Sequence, residues 1–196
     1  MIQDLEKELL ENKVKSLKSE IGILESRIEE LERDDLTGVL RRKPWEEKVR
    51  EKLRRQSQVI CMVDMDGLKI VNDRHGHVYG DMLIRLLAKA FEHNIKREDL
   101  VGRYGGDEFV LALTTEGMEN TEKEVRKIFK RIAALFSKTA SQYFQNEFDG
   151  EIDHCFGFSY GFVFVPKGLH SLEAIYIAAD NMLIKEKKSK RTSRLT

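Results

Sequence analysis

The chain has 196 residues, 35% of them charged and 41% hydrophobic; that is room for one compact domain of about 100–200 residues plus an appendage. The charged share exceeds the roughly 25% of an average globular protein, so part of the surplus belongs on an exposed helix. Lys+Arg and Asp+Glu are both 34, and this zero net charge argues against a general polyanion binder, so no nucleic-acid partner is expected. Apolar stretches fall far short of the roughly 18 residues of a membrane span, and no signal peptide opens the chain, which predicts a cytoplasmic protein with no membrane segment. Cys61 and Cys155 lie in apolar runs outside any metal-ligand spacing, and read as buried free thiols rather than a disulfide.

Residues 1–35 read as one exposed helix, with a domain boundary after residue 33. Leu10, Val14, Leu17, Ile21, Leu24, Ile28 and Leu31 recur at spacings of 4 and 3, the heptad period. Val14, Ile21 and Ile28 at a, with leucines at d, favour a parallel two-stranded coil and hence a homodimer. The flanking charges give less: Arg27 meets Glu32 of the partner helix favourably, whereas Lys13–Lys18 and Glu20–Glu25 repel. The seam slips before Leu10, where Ile2, Leu5 and Leu9 follow a shifted track.

A break at Asp34–Gly38 precedes a second helix, Trp45 to about Arg55. Val59–Val63 is a β-branched run that reads as a buried strand, ended by Asp64-Met65-Asp66-Gly67. A helix is predicted from Gly80 to about Ile95. Leu100–Tyr104 and Glu108–Leu113 flank Gly105-Gly106 and read as a tight hairpin with the glycines in the turn. Glu122–Phe136 is an amphipathic helix, Phe156–Val165 a strand, and His170–Lys188 a helix running into the basic residues Lys190, Arg191 and Arg194. This order suits an α+β fold, an antiparallel-rich sheet with helices packed on it.

Acids stand at two strand ends, Asp64 and Asp66 at one, Asp107 and Glu108 at the other. If the strands are neighbours, these carboxylates gather at one rim, repel each other and require a cation. All-oxygen ligation suits Mg2+, the ion of two-metal phosphoryl transfer. A calcium-binding EF-hand loop is excluded, because Leu68 and Lys69 occupy positions that need an oxygen ligand and glycine. His75 and His77 read as structural or surface residues, and His93, His154 and His170 carry no pattern.

Arg103-Tyr-Gly105-Gly106-Asp107-Glu108-Phe109 resembles the signature of GGDEF-domain diguanylate cyclases. So do Asp64-Met-Asp-Gly-Leu-Lys69-Ile-Val-Asn72-Asp73, His75-Gly-His-Val-Tyr-Gly80-Asp81, the entry motif Asp34-Asp-Leu-Thr-Gly38, and Ser159-Tyr-Gly161. The resemblance covers about residues 34–191. It implies a fold like nucleotidyl cyclases and polymerase palms, with residues 34–196 as the catalytic domain behind the coiled-coil helix. It implies condensation of two GTP into cyclic di-GMP, with two Mg2+ ions per site or Mn2+ in their place. Asp64 and Asp107 would bind metal through carboxylates and Met65 through its carbonyl. Glu108 would be a further ligand or help deprotonate the 3′-hydroxyl. Asn72 and Asp81 would read the guanine edge, favouring guanine over mixed nucleotides. Lys69, Arg103, Lys187 and Arg191 would hold phosphates, and the Gly105-Gly106 backbone would let the triphosphate approach. An upstream sensory domain acting through the coil is a further expectation.

The sequence departs from the family at four places. Lys96 stands where an inhibitory product site has arginine ahead of Asp99, and it lacks the guanidinium fork, which predicts weak product inhibition. In Ala179-Asp180-Asn-Met-Leu-Ile-Lys-Glu-Lys187-Lys-Ser-Lys190-Arg191-Thr192 the Lys187 and Arg191 positions are kept, while the family's tyrosine, glycine and asparagine are not. Arg41 replaces an asparagine and His75 a phenylalanine. The rival reading is a non-enzymatic module that binds GTP or cyclic di-GMP.

Overall fold

The computed structural model describes residues 2–148 and 156–193, and the chain divides into two compact units between residues 33 and 34. The first is a single helix, α1 (Ile2–Glu32). Every residue of its predicted seam from Leu10 to Leu31 is at least 45% exposed. Such a stripe on an unpartnered helix leaves its main source of stability unused, since helices of this kind are held chiefly by packing.

The second unit runs β1 (Leu40–Arg41), α2 (Arg42–Arg55), β2 (Gln58–Asp66), α3 (Leu68–His75), α4 (His77–Glu92), β3 (Leu100–Gly105), β4 (Glu108–Thr114), α5 (Thr121–Glu147), β5 (Gly157–Val165) and α6 (Leu172–Ser193). The five strands form one sheet in the order β1-β3-β4-β2-β5. Only the short β1–β3 contact is parallel; β3–β4, β4–β2 and β2–β5 are antiparallel. The chain therefore has the expected antiparallel-rich sheet flanked by helices.

Side chains alternate along a strand, and in β2 both faces are covered. Val59, Cys61, Val63 and Met65 join a core with α4 and α5 that includes Leu87, Phe91, Phe129 and Phe136. Ile60 and Met62 join the opposite core with Trp45, Val49, Ile175 and Leu183 of α2 and α6. β2 is thus apolar without alternation, as a doubly covered strand must be. Cys61 is buried and free, and burial drives its thiol pKa up. Cys155 and His154 lie outside the described residues.

Three elements differ from expectation. α5 continues eleven residues past Phe136, to Glu147, because Ala140 and Phe144 extend its buried face beyond a polar stretch. A separate short helix, α3, precedes α4, which begins at His77 rather than Gly80. The hairpin turn is Gly106-Asp107 rather than Gly105-Gly106: Gly105 still pairs with Glu108 across a bulge, and Gly106 carries the positive φ of 47°. No helix among the described residues is long and apolar enough to cross a membrane.

α6 lies against β5 at Gly161. A Cβ there would come within 2.2 Å of the Ala179 carbonyl oxygen and the Leu183 amide nitrogen, so helix and strand backbones meet with no room for a side chain. Gly161→Ala should destabilise the protein by about 1–3 kcal/mol through overpacking, read from the urea unfolding midpoint; an unchanged midpoint would show that α6 seats elsewhere.

Candidate active site

The parity that sorts the core also sorts the acids. Asp64 and Asp66, even-numbered like Ile60 and Met62, fall on the α6 side of β2. Glu108 pairs directly with Asp64 across the β2–β4 ladder and shares that face with Val110 and Ala112. The next step of the ladder is backbone only: the Met65 amide donates to the Asp107 carbonyl at 3.3 Å. Asp107 itself sits in the turn, one residue before β4. The acids from the two strand ends therefore do meet at one rim.

Their proton affinities follow from burial first and from that crowding second. Burial raises the Asp64 pKa; Lys187 counteracts it by hydrogen bond and charge, and the Asp107 and Asp66 charges raise it further, leaving a net rise. Glu108 is likewise raised, first by burial and then by Asp64, Asp107 and Asp180, with Lys187 opposing. Both shifts come first from burial and then from neighbouring carboxylates that Lys187 only partly offsets. The nearest cation is the Lys187 ammonium of α6, with Nζ 2.6 Å from Asp64 Oδ1. Among the described residues no three His, Cys, Asp or Glu side chains enclose a metal position. The rim instead offers the part-buried carboxylates of Asp64 and Glu108 from two paired strands. A hard cation that keeps several water or ligand oxygens fits this donor set, and the ammonium held at Asp64 stands in for such a charge.

Arg103 is engaged twice. Its Nε and Nη2 donate to the Gly106 carbonyl at 3.0 and 2.7 Å, and its Nη1 bonds both oxygens of Asp34 at 3.1 and 3.3 Å. Asp34 in turn accepts from the Thr37 amide and hydroxyl. The guanidinium thus clamps the acid-bearing turn to the entry segment of the domain, instead of projecting freely for a phosphate.

Asn72, on α3, has its Oδ1 buried with no hydrogen-bond partner. It lies against Gly80 of α4, where a Cβ would fall 1.9 Å from that oxygen. A buried amide oxygen without a partner costs free energy, and a bound group that donates to it would recover that cost. Asp81 is half-buried on α4, one residue along from Gly80, while Lys69 is exposed on α3. The Arg191 side chain lies outside the described residues.

Asp99 is buried and fully used: Oδ1 accepts from the Thr114 amide at 2.7 Å and Oδ2 from the Lys96 amide at 2.9 Å. Burial raises its pKa against these two bonds, and the net shift is upward. The Lys96 ammonium reaches the Glu116 carbonyl at 3.2 Å. Both residues tie the end of β4 to the turn before β3.

Two anchors have no site role in the sequence reading. Ser159 donates to Asp66 Oδ1 at 2.9 Å, and Lys190 reaches Asp66, Ser159 and the Phe158 carbonyl. Ser159 could have been found from its place in the Ser-Tyr-Gly motif of β5; Lys190 had no signal beyond standing where the C-terminal helix motif has glycine.

The five-stranded sheet therefore carries paired acids from two neighbouring strands beside a glycine hairpin. The chain belongs to the GGDEF family: residues 31–193 match the diguanylate cyclase GGDEF domain. It is 31% identical to DgcJ of Escherichia coli K12 over 164 residues, 81% of this chain and 30% of DgcJ. It is 39% identical to the diguanylate cyclase DosC of the same strain over 80 residues, 41% of this chain and 16% of DosC. The chain thus spans less than a third of these relatives. Its fold is similar to the coiled coil and GGDEF domain of DgcB from Caulobacter crescentus, solved with c-di-GMP, at a TM-score of 0.71 and 20% identity, over 92% of this chain and 93% of that one.

The Arg103 clamp has a pH signature. The Asp34 pKa is raised by burial but lowered more by the Thr37 and Arg103 hydrogen bonds and the Arg103 charge, for a net fall. A depressed carboxylate stabilises the fold above its unfolded pKa, and that contribution is lost as pH falls through the folded value. Urea melts should therefore show Arg103→Met less stable than wild type at pH 7, with the gap narrowing below the ordinary carboxylate range. A gap independent of pH would mean that Asp34 takes no part.

Proposed function

We propose that the protein is a diguanylate cyclase that condenses two GTP into cyclic di-GMP and releases two pyrophosphates, each GTP being held by one subunit of a homodimer. The observation that carries this reading is the cross-strand pair Asp64–Glu108 beside the Gly106-Asp107 turn, with the Lys187 ammonium against Asp64.

Asp64, Asp107 and Glu108, with the Met65 carbonyl, would hold two Mg2+ or Mn2+ ions. Those ions supply activation of the 3′-hydroxyl and neutralisation of the charge that builds on the leaving pyrophosphate. Glu108, its pKa raised by burial and its neighbours, would also take the 3′-hydroxyl proton. Asn72 and Asp81 would accept from guanine N1–H and N2–H2, donors that adenine does not present in that arrangement. Lys69, Lys187 and Arg191 would meet phosphate oxygens, and the Gly105-Gly106 backbone gives them close approach. Arg103 serves here by fixing the turn. Lys187 would leave Asp64 for the triphosphate as the cation arrives, so one ammonium first balances the empty acid cluster and then the substrate.

One domain holds one nucleotide, so each 3′-oxygen must attack the α-phosphorus carried by a second copy, in line with the leaving group. The exposed heptad seam of α1 supports a parallel coil that keeps two domains at high effective concentration. Its slip near Leu9–Leu10 would allow two registers, and a signal from an upstream sensory domain could select between them. Asp99 and Lys96, being committed to the fold, would make a poor product site, so turnover should not slow as product accumulates.

Incubation of the dimer with GTP and Mg2+, with chromatography of the products, tests this. A single cyclic dinucleotide of guanosine should form with pyrophosphate at a rate that stays linear at micromolar product, and Asp107→Ala should lower the rate by about 10²–10³-fold. A dimer that binds GTP without turnover would instead be a signalling module, and mixed-base products would contradict the roles given to Asn72 and Asp81.

A further inference from the structure

We propose that Lys190 is a positioning residue for the nucleotide site, fastening the last turns of α6 so that Lys187 stays over Asp64. The inference rests on the cyclase reading for its kinetic consequence, but not for the geometry. Lys190 stands where the resemblance leads one to expect glycine, and its Nζ meets three acceptors: the Phe158 carbonyl at 2.6 Å, Ser159 Oγ at 3.2 Å and Asp66 Oδ2 at 3.4 Å. An ammonium has three protons to donate, so this arrangement uses them all. The set is closed on itself, because the Ser159 hydroxyl donates its own proton to Asp66 Oδ1 at 2.9 Å. Glu186, one turn back on α6, adds a longer ion pair at 3.8 Å.

The register explains why Lys187 depends on it. Asp64 and Asp66 project from the same face of β2, about 6.6 Å apart along the strand. Lys187 and Lys190 are three residues apart on one face of α6, about 4.5 Å along the axis. Two flexible ammoniums close that mismatch, one carboxylate each. Lys187 must be free to exchange partners when a nucleotide arrives. Lys190 has no such freedom, because a backbone carbonyl and a hydroxyl share its charge with Asp66. One lysine is the contact and the other is the anchor. The second acid of the Asp-Met-Asp run is neutralised by that anchor, which leaves Asp64 as the β2 acid facing the cluster.

The full chain carrying Lys190→Met, Lys190→Arg or Asp66→Asn decides the matter. Lys190→Met keeps the stem and removes the charge; it should raise KM for GTP about tenfold and weaken α,β-methylene-GTP binding equally, with kcat changed by less than about threefold. Lys190→Arg should restore both values, and Asp66→Asn should add little once Lys190 is methionine. In protein free of nucleotide and metal, amide hydrogen exchange over residues 186–193 should accelerate in Lys190→Met while β2 is unaffected. Unchanged KM and exchange, or a lower melting temperature with unchanged KM, would overturn the proposal and leave Lys190 a surface fastener at most. Wild-type protein that neither turns over GTP nor binds the analogue would refute the cyclase reading and the kinetic role with it, and the exchange rates would still judge the anchor.

Discussion

The even-numbered face of β2 meets α6, and the site depends on that single constraint. Ile60 and Met62 bury there against α2 and α6, and the same parity carries Asp64 and Asp66 onto the helix side where the core runs out. Because β4 pairs with β2 in antiparallel register, Glu108 is brought opposite Asp64 without any further device. A one-residue slip in that ladder would turn every one of these side chains to the other face. The apolar cores that fix the register therefore also fix the acids, and the energy that holds like charges together comes from burial of residues such as Phe109 and Val63 on the far side of the sheet.

The crowded acids are balanced from one direction. α6 is seated by the bare backbone of Gly161 and delivers Lys187 to Asp64 and Lys190 to Asp66. The hairpin that bears Asp107 is steadied from the opposite edge by Arg103, which links the Gly106 carbonyl to Asp34. Between them the rim keeps a raised Asp64 and a raised Glu108, a cluster that a cation would relieve. Asn72 adds a buried oxygen with no partner on α3. Unmet charge and unmet hydrogen bonding within one unit are what a ligand-binding site stores before its ligand arrives.

Much of this was legible in the chain. Continuous apolar runs marked β2 and β4, and the glycines between Tyr104 and Asp107 marked the hairpin that joins β3 to β4, because turn chemistry and burial leave strong local signals. The position of the turn was not legible to the residue: either glycine satisfies the turn, and only the bulge in the β3–β4 ladder selects Gly106. The end of α5 was hidden because Ser137–Gln142 looks polar in isolation, while Ala140 and Phe144 are buried only by tertiary contact. Among site residues, acids announce themselves by position, whereas a lysine is ordinary in any helix. That Lys190 is bonded inward to Asp66, Phe158 and Ser159, and that Arg103 also holds Asp34, depend on partners distant in sequence, which no local pattern encodes.

In the proposed cyclase the acid rim is a cation site balanced by Lys187 until nucleotide and metal arrive. Mn2+ binding to the nucleotide-free protein, followed by electron paramagnetic resonance at neutral pH, tests it most directly. Removing a competing ammonium should let the metal in, so Lys187→Met should bind Mn2+ more tightly than wild type, by up to about fivefold, the most a part-exposed ion pair is worth, and Asp64→Asn should abolish binding in either background. Weaker Mn2+ binding in Lys187→Met, or binding indifferent to Asp64, would contradict the account.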